Sequence, residues 1–428
     1  MRSRASVLVM LAAVCVFLFS YAFVFPNRTE NSENRTLATF DMVFRPEKDS
    51  VVYHDSPVER LEAAMSDQFL FREGAVSRYL NILNTSDNLT RSLAGLDTDY
   101  SKQEYTFQSV GSYCLIENTG YVMGFPSTEP YNRKRVAKHA GQIGTIQSMI
   151  PEMKAYVYFV TQASDTSWFD KYLGTTTPDH YEEIRSALPD GVKSGRLVFS
   201  DLEDYMNVHF KTDHHWNHRG ARRGYEDVYA MMSGDFDPGE RLEPVSEFRA
   251  SEEGGFVYLG SYGRSLGDMY TYGYDDFSFY EYDFPERDCL VADPSTLEET
   301  KVEKIGLYDE YRQGDVSRSV GTDHYIRMYG TAVDSEGNRY NDSDYVFVIR
   351  NGEGNGRNLL ICGDSYGRAL RDPLASNFST TVYIDYRIIE QVPAEQLLER
   401  YGIDTLLICS NSGMWNLAKS CFKLGEGK

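Results

Sequence analysis

Basic side chains are scarce in this chain. Across 428 residues, 43 lysines and arginines stand against 64 aspartates and glutamates, a formal net charge of -21. A surface so short of positive charge excludes a nucleic-acid binder, because phosphate recognition needs a basic face. Usable cysteine is scarce too. Of the six, Cys15 lies in an apolar N-terminal run, leaving Cys114, Cys289, Cys362, Cys409 and Cys421. An odd remainder argues against a disulfide framework, and the scattered spacing lacks the close pairs of a zinc site. Cys362 and Cys409 stand in strand-like apolar runs and read as small core residues.

One long hydrophobic run stands out, from Val7 to Phe25, broken only by Ser20 and preceded by Arg2 and Arg4. Its length approximates the roughly 20 residues that span a bilayer core. The positive flank predicts a single-pass anchor (residues 1–25) with its N-terminus in the cytoplasm and the rest of the chain outside. A removed signal peptide, cleaved near Ser20-Tyr21-Ala22, is the competing reading. Both place the working part outside the cytoplasm.

What is present is ample for a folded body. Hydrophobic residues make up 41% and aromatics 14%, enough for one large or two ordinary domains, which excludes disorder as the overall state. The 32 tyrosines combine an apolar face with a hydroxyl, which suits sugar rings as well as core packing. A polar tether covers 26–56. In 57–233 helical spacing from Arg60 to Asn81 is followed by a hairpin pattern at Tyr105 to Met123. An α/β rhythm then begins near Tyr131, with strands at Ala155 to Val160 and Arg196 to Phe199. Residues 234–357 break the rhythm and read as a β-rich insertion rich in Gly, Tyr, Asp and Ser. In 358–428 the rhythm resumes, with strands at Asn358 to Cys362, Thr381 to Ile384 and Thr405 to Cys409. Strands alternating with helices predict a mostly parallel sheet, whose ligand crevice lies outside the carboxyl ends of its strands.

Chemistry concentrates at those ends. Ser365 follows a buried-looking strand and a glycine, so its hydroxyl is expected at the sheet edge; a plain helix cap is the alternative. Asp213 and His215 are two apart in an extended segment and project to one side, so the carboxylate can orient the imidazole as a general base toward Ser365. Asn217 is a natural N-cap for the helix that follows. A metal reading of Asp213, His214, His215 and His218 meets the objection that this helix starts only near Asn217, too late to put both His214 and His218 on one helical face. His214 then reads as making a structural or substrate hydrogen bond. No metal or bound cofactor is expected. Asn411, after the third strand, is a candidate oxyanion donor with the Ser365 N–H. Tyr386 and Arg387, after the second, are candidates for a glycan carboxylate or hydroxyl, although Arg387 can equally pair with Asp385 or Asp364. Tyr366 and Trp216 complete the candidate substrate-binding set.

These residues carry a resemblance. Thr212-Asp213-His214-His215-Trp216 followed by Gly220-Ala221 resembles the tetrapeptide that names the bacterial DHHW family. Ser32-Glu33-Asn34-Arg35, Asp67 to Arg72, Gly363-Asp364-Ser365-Tyr366 and Asp385-Tyr386-Arg387 occur in that family's order. The family is similar in turn to the SGNH-hydrolase-like domains of alginate O-acetylation proteins, whose Asp-x-His-Trp precedes the serine, a permuted order. The resemblance implies a three-layer α/β/α SGNH-like fold. It also implies acetyl transfer to a cell-surface or exported polysaccharide through Ser365, His215 and Asp213, with a membrane-embedded acyltransferase as acetyl-donating partner. A carbohydrate esterase with the same triad, and a non-catalytic glycan-binding or export scaffold, are the alternatives.

Overall fold

A computed structural model describes residues 38–44, 56–68, 78, 107–110, 113–116, 119–170, 174–249, 257–267, 270–271, 273–314 and 322–425. The expected anchor at 7–25 lies outside them, as do the motif residues 32–35 and 69–72. Among the described residues no helix is long and apolar enough to cross a membrane.

The chain divides into two compact units. The smaller joins residues up to 104 with Ser261–Gly273. Its helix Pro57–Asp67 starts with Ser56 accepting from Val58 N and Pro57 at the first turn, where a missing N–H costs nothing. At its far end Asp67 accepts from Ala38 N (2.9 Å) and Gln68 donates to Ala38 O (2.9 Å). The Asp-Gln pair of the sequence motif thus pins the segment that leads into the helix Phe40–Phe44.

The larger unit comprises Tyr105–Gly260 and Tyr274–Lys428. Where a hairpin was expected, β1 (Phe107–Val110), β2 (Tyr113–Ile116) and β3 (Tyr121–Gly124) form a three-stranded antiparallel sheet. β4 (Lys154–Phe159) and β5 (Val192–Arg196) pair parallel. β6 (Pro244–Phe248) pairs antiparallel with β7 (Phe279–Tyr282), and β8 (Arg287–Ala292) with β9 (Glu299–Val302). β10 (Lys304–Ile305), β11 (Thr331–Val333) and β12 (Arg339–Asn341) make a small antiparallel sheet. The last four are β13 (Val346–Asn351), β14 (Asn358–Gly363), β15 (Thr380–Asp385) and β16 (Thr405–Ser410).

Eight strands form the central sheet in the order β5-β4-β16-β14-β15-β13-β8-β9. The first five run parallel, as expected. The rest turn antiparallel, so the sheet is mostly but not wholly parallel, which corrects any reading of it as purely parallel. The reason is connection length. Only residues 352–357 link β13 to β14, too few for the crossover of a dozen or more that a parallel successor requires. The stretch 234–357 therefore supplies three strands of the central sheet, β8, β9 and β13.

Alternation along the strands buries both faces. Tyr156, Tyr158, Ile361, Tyr383, Leu407 and Cys409 pack on one side with Tyr225, Val228 and Met232 of the helix His218–Ser233 and with the helix Tyr366–Ala375. Val157, Phe159, Leu360, Cys362, Val382 and Ile408 pack on the other with the helices Arg133–Met149 and Ala394–Tyr401. The result is the three-layer α/β/α arrangement. β5 lies earlier than the apolar run at 196–199 suggests: as an edge strand it is only half covered, while Val198 beyond it is 63% exposed. The five cysteines after Cys15 are buried and unpaired.

Candidate active site

β14 ends at Gly363, where an added Cβ would meet Cys409 O of β16 at 1.9 Å. Only glycine allows the strands to run this close before the chain turns into the helix Tyr366–Ala375. Ser365 stands at the N-cap of that helix, yet its side chain makes no capping bond. Asp364 caps instead, accepting from Tyr366 N at 3.1 Å. This leaves the Ser365 hydroxyl for other work. It lies half-buried, 2.6 Å from His215 Nε2.

His215 Nδ1 lies 2.5 Å from Asp213 Oδ1, which also accepts from His215 N at 3.0 Å. A carboxylate can only accept, so Nδ1 carries the ring hydrogen and Nε2 is left to accept from Ser365 Oγ. Asp213 and His215 are each 2% exposed. An oriented imidazole between a buried carboxylate and a hydroxyl is the geometry of a general base serving a nucleophile.

The loop holding the pair is clasped from behind. Asp275 accepts from Lys211 N (2.7 Å), Thr212 N (2.8 Å) and the Thr212 hydroxyl, and Gly260 N donates to Thr212 Oγ1 (2.8 Å). A side chain at Gly260 would strike Asp213 Cβ at 2.2 Å. Asn217 caps the following helix, accepting from Arg219 N and Gly220 N as the sequence predicts. Burial pushes Asp275 up to about 6, against its three donors.

The other candidates fall into two groups. His214 is half-exposed, its ring 3.9 Å from that of His215. Trp216 and Tyr366 are buried: Trp216 Nε1 donates to Tyr325 OH (3.0 Å) and Tyr366 OH donates to His214 O (2.7 Å). Asn411 donates from its amide (2.8 Å) and backbone (3.0 Å) to Asp364 Oδ2, so part of its expected oxyanion capacity is spent behind the serine. Burial pushes Asp364 up to about 7. Arg387 grips Asp385 with two bonds (2.8 and 2.9 Å), the pairing weighed against a glycan role; Tyr386 lies under Lys419, 4.2 Å from Nζ to ring.

Asp213, His214 and His215 offer ligand atoms within 4.8 Å of one another. His218, the fourth residue of the metal reading, turns to Glu247 (2.8 Å). Both His215 nitrogens face partners already named.

Sequence reasoning missed Tyr325. Its ring lies parallel to the His215 imidazole (centroids 3.9 Å, 12°) and its hydroxyl donates to Ser365 O (3.2 Å). It comes from the tyrosine-rich stretch between the two motifs, where nothing local distinguishes it from its neighbours.

Fold and site together define a class: a three-layer α/β protein presenting an Asp-His-Ser hydrogen-bonded chain at the carboxyl end of a parallel strand. No protein-family model matches the chain, and no curated protein matches it in sequence. Solved structures do match in fold. A DHHW family protein from Eubacterium siraeum superimposes with TM-score 0.51 at 17% identity, over 73% of this chain and 94% of that one. Bacillus cereus PatB1, solved with a sulfonyl adduct, gives 0.52 at 15%, over 75% and 100%. The O-acetyltransferase domain of Pseudomonas putida AlgJ is more distant, 0.35 at 11%, over 71% and 91%. The DHHW likeness seen in the motifs thus extends to the fold.

Proposed function

We propose that the protein is an extracytoplasmic O-acetyltransferase acting on a cell-surface or exported polysaccharide, tethered through residues 7–25. The observation that carries this reading is the continuous chain Asp213–His215–Ser365, with bonds of 2.5 and 2.6 Å ending on a half-buried hydroxyl.

The chemistry follows from that order. Ser365 Oγ attacks the carbonyl carbon of an acetyl ester while His215 Nε2 takes its proton and Asp213 holds the resulting imidazolium. The departing alcohol takes the proton, leaving acetyl-Ser365. A sugar hydroxyl then attacks this ester, again losing its proton to His215, and the serine leaves with that proton. The developing oxyanion meets the Ser365 N–H and the positive end of the helix Tyr366–Ala375. An acetyl donor outside the cytoplasm implies a membrane-embedded acyltransferase partner that passes the group across.

Incubating the full-length chain with p-nitrophenyl acetate tests this. Turnover that disappears in Ser365→Ala, with one acetyl group found on Ser365 by mass spectrometry, is expected. A sulfonyl fluoride should label the same residue. Acetate release with no acetylation of added oligosaccharide assigns the esterase; turnover indifferent to Ser365 and His215 leaves the non-catalytic scaffold.

A further inference from the structure

We infer that Tyr325 is a positioning residue for the base, holding the His215 ring by its face and favouring its protonated form; this rests on the catalytic reading above. Three contacts converge on this one side chain. The phenol ring lies flat against the imidazole, 3.9 Å between centroids and 12° from parallel. Its hydroxyl accepts from Trp216 Nε1 (3.0 Å) and donates to the main-chain carbonyl of Ser365 (3.2 Å). One residue of the helix His324–Tyr329 therefore touches the base, the tryptophan beside it and the nucleophile's own backbone.

The ring cannot easily swing away. Tyr325 is 1% exposed and is packed by Tyr329 (5.0 Å) and, edge-on, by Phe210 (6.4 Å). Burial holds its phenol well above the usual tyrosine range, so the hydroxyl keeps the hydrogen it donates. The imidazole edge is fixed by Asp213 and Ser365; the ring's tilt about that axis is fixed only by what covers its faces.

The electrostatic consequence arises during turnover. When His215 takes the serine proton it becomes a cation lying on an aromatic face, and the negative face of that ring attracts it more than it attracts the neutral base. The surrounding groups set the background. On the same loop Asp213 favours the cation and His214, 3.9 Å away, opposes it when charged. From the turn after β14 the buried Asp364 interacts favourably with it when ionised, and Tyr366 sits 5.2 Å from the ring. His209, lowered to about 3 by burial, stays neutral.

The test compares Tyr325→Leu with Tyr325→Phe in the full-length chain. Phenylalanine keeps the face and drops the hydroxyl; leucine fills the site without a π face. In ester turnover, the acid limb of the kcat/KM–pH profile should move to lower pH by about one unit in Tyr325→Leu. It should stay in place in Tyr325→Phe, whose plateau falls because the Ser365 carbonyl and the Trp216 N–H lose their partner. A packing role alone lowers both plateaus and moves neither limb. A limb that stays put in Tyr325→Leu, or moves to higher pH, overturns the inference.

A second measurement needs no turnover and leaves Tyr325 in place. In histidine-labelled wild-type chain, the ring protons of His215, assigned by their loss in His215→Asn, should be shifted upfield by the tyrosine ring current. Unshifted protons overturn the inference even if the enzyme is active. Shifted protons without Ser365-dependent turnover keep the stack and remove the catalytic reading.

Discussion

Two clusters of buried ionisable groups stand at the carboxyl ends of neighbouring strands, and they are built on opposite principles. At β14 the chain Asp213–His215–Ser365 runs from a buried carboxylate to a half-buried hydroxyl. At β15, Asp385 is gripped by Arg387 through two bonds and approached by Arg368 (3.3 Å), which also meets Asp342 at 2.5 Å. The second cluster is closed: carboxylates and guanidiniums answer one another, and the arrangement fixes the helix Tyr366–Ala375 to the strand ends. The first is open at one end, on the hydroxyl of the half-buried Ser365. Buried charge is common to both clusters; what separates them is that only the first is a hydrogen-bonded chain ending on a hydroxyl.

The comparison breaks first, and by the largest margin, in activity. Ser365→Ala should lower ester turnover by about a million-fold, while urea unfolding stays close to wild type because the serine side chain makes no capping bond. Asp213→Asn keeps the shape but lets the amide hold His215 in the wrong tautomer, and about a 10,000-fold loss in kcat is expected. Neither change should disturb the β15 cluster. If Asp213→Asn unfolds the chain instead, the open cluster is structural too and the contrast fails.

The reverse experiment probes the closed cluster. Arg368 is 1% exposed between Asp342 and Asp385. Arg368→Met would leave two buried carboxylates short of a counter-charge, a loss of about 3–5 kcal/mol in stability by denaturant titration. Activity per folded molecule should change far less than in Ser365→Ala, since Arg368 is one turn beyond the nucleophile and faces the other cluster. An equal loss of turnover with unchanged stability would merge the two clusters into one site.

The open cluster was the legible one, and for local reasons. Asp213 and His215 declare themselves by a two-residue spacing, Asn217 by its capping chemistry, and Ser365 by the apolar strand and glycine before it. The five parallel strands were legible wherever both faces are buried, because Leu359 to Cys362 and Thr405 to Cys409 then read as continuous apolar runs. Legibility ended where tertiary pairing decides. Val346 to Ile349 is a continuous apolar run within the β-rich stretch, but its place beside β15 follows from a short link to β14. The closed cluster joins Asp342 to Arg368 and Asp385 from three separate elements. Asn411 looked free to serve an oxyanion because nothing local reveals that Asp364 holds its amide. Tyr325, one of 32 tyrosines, gains its place through tertiary contacts with His215, Trp216 and Ser365 that nothing local reveals.

The finest separation of the two clusters is in their response to pH. Asp364, beside Ser365, is pushed by burial from an ordinary 3.8 up to about 7. A carboxyl raised in the folded state binds its proton more tightly there than when unfolded. Its contribution is fully present below about 3.8 and is lost as pH rises through about 7. Asp385 behaves oppositely. Burial works against its charge, but Arg387 and Arg368 outweigh it and hold the group below the usual carboxylate range. Its contribution is present above the unfolded value and is lost as pH falls through the lowered one. Thermal melts from pH 4 to 8 should therefore lose part of their decline with rising pH in Asp364→Asn, by at most about 1.4 kcal/mol per pH unit. Over the same range Asp385→Asn should lower stability with little change of slope, because that carboxylate is ionised in the folded state throughout. Identical slopes in both variants would mean that the two carboxylates carry the same charge at neutral pH, and the distinction between an open and a closed cluster would then rest on geometry alone.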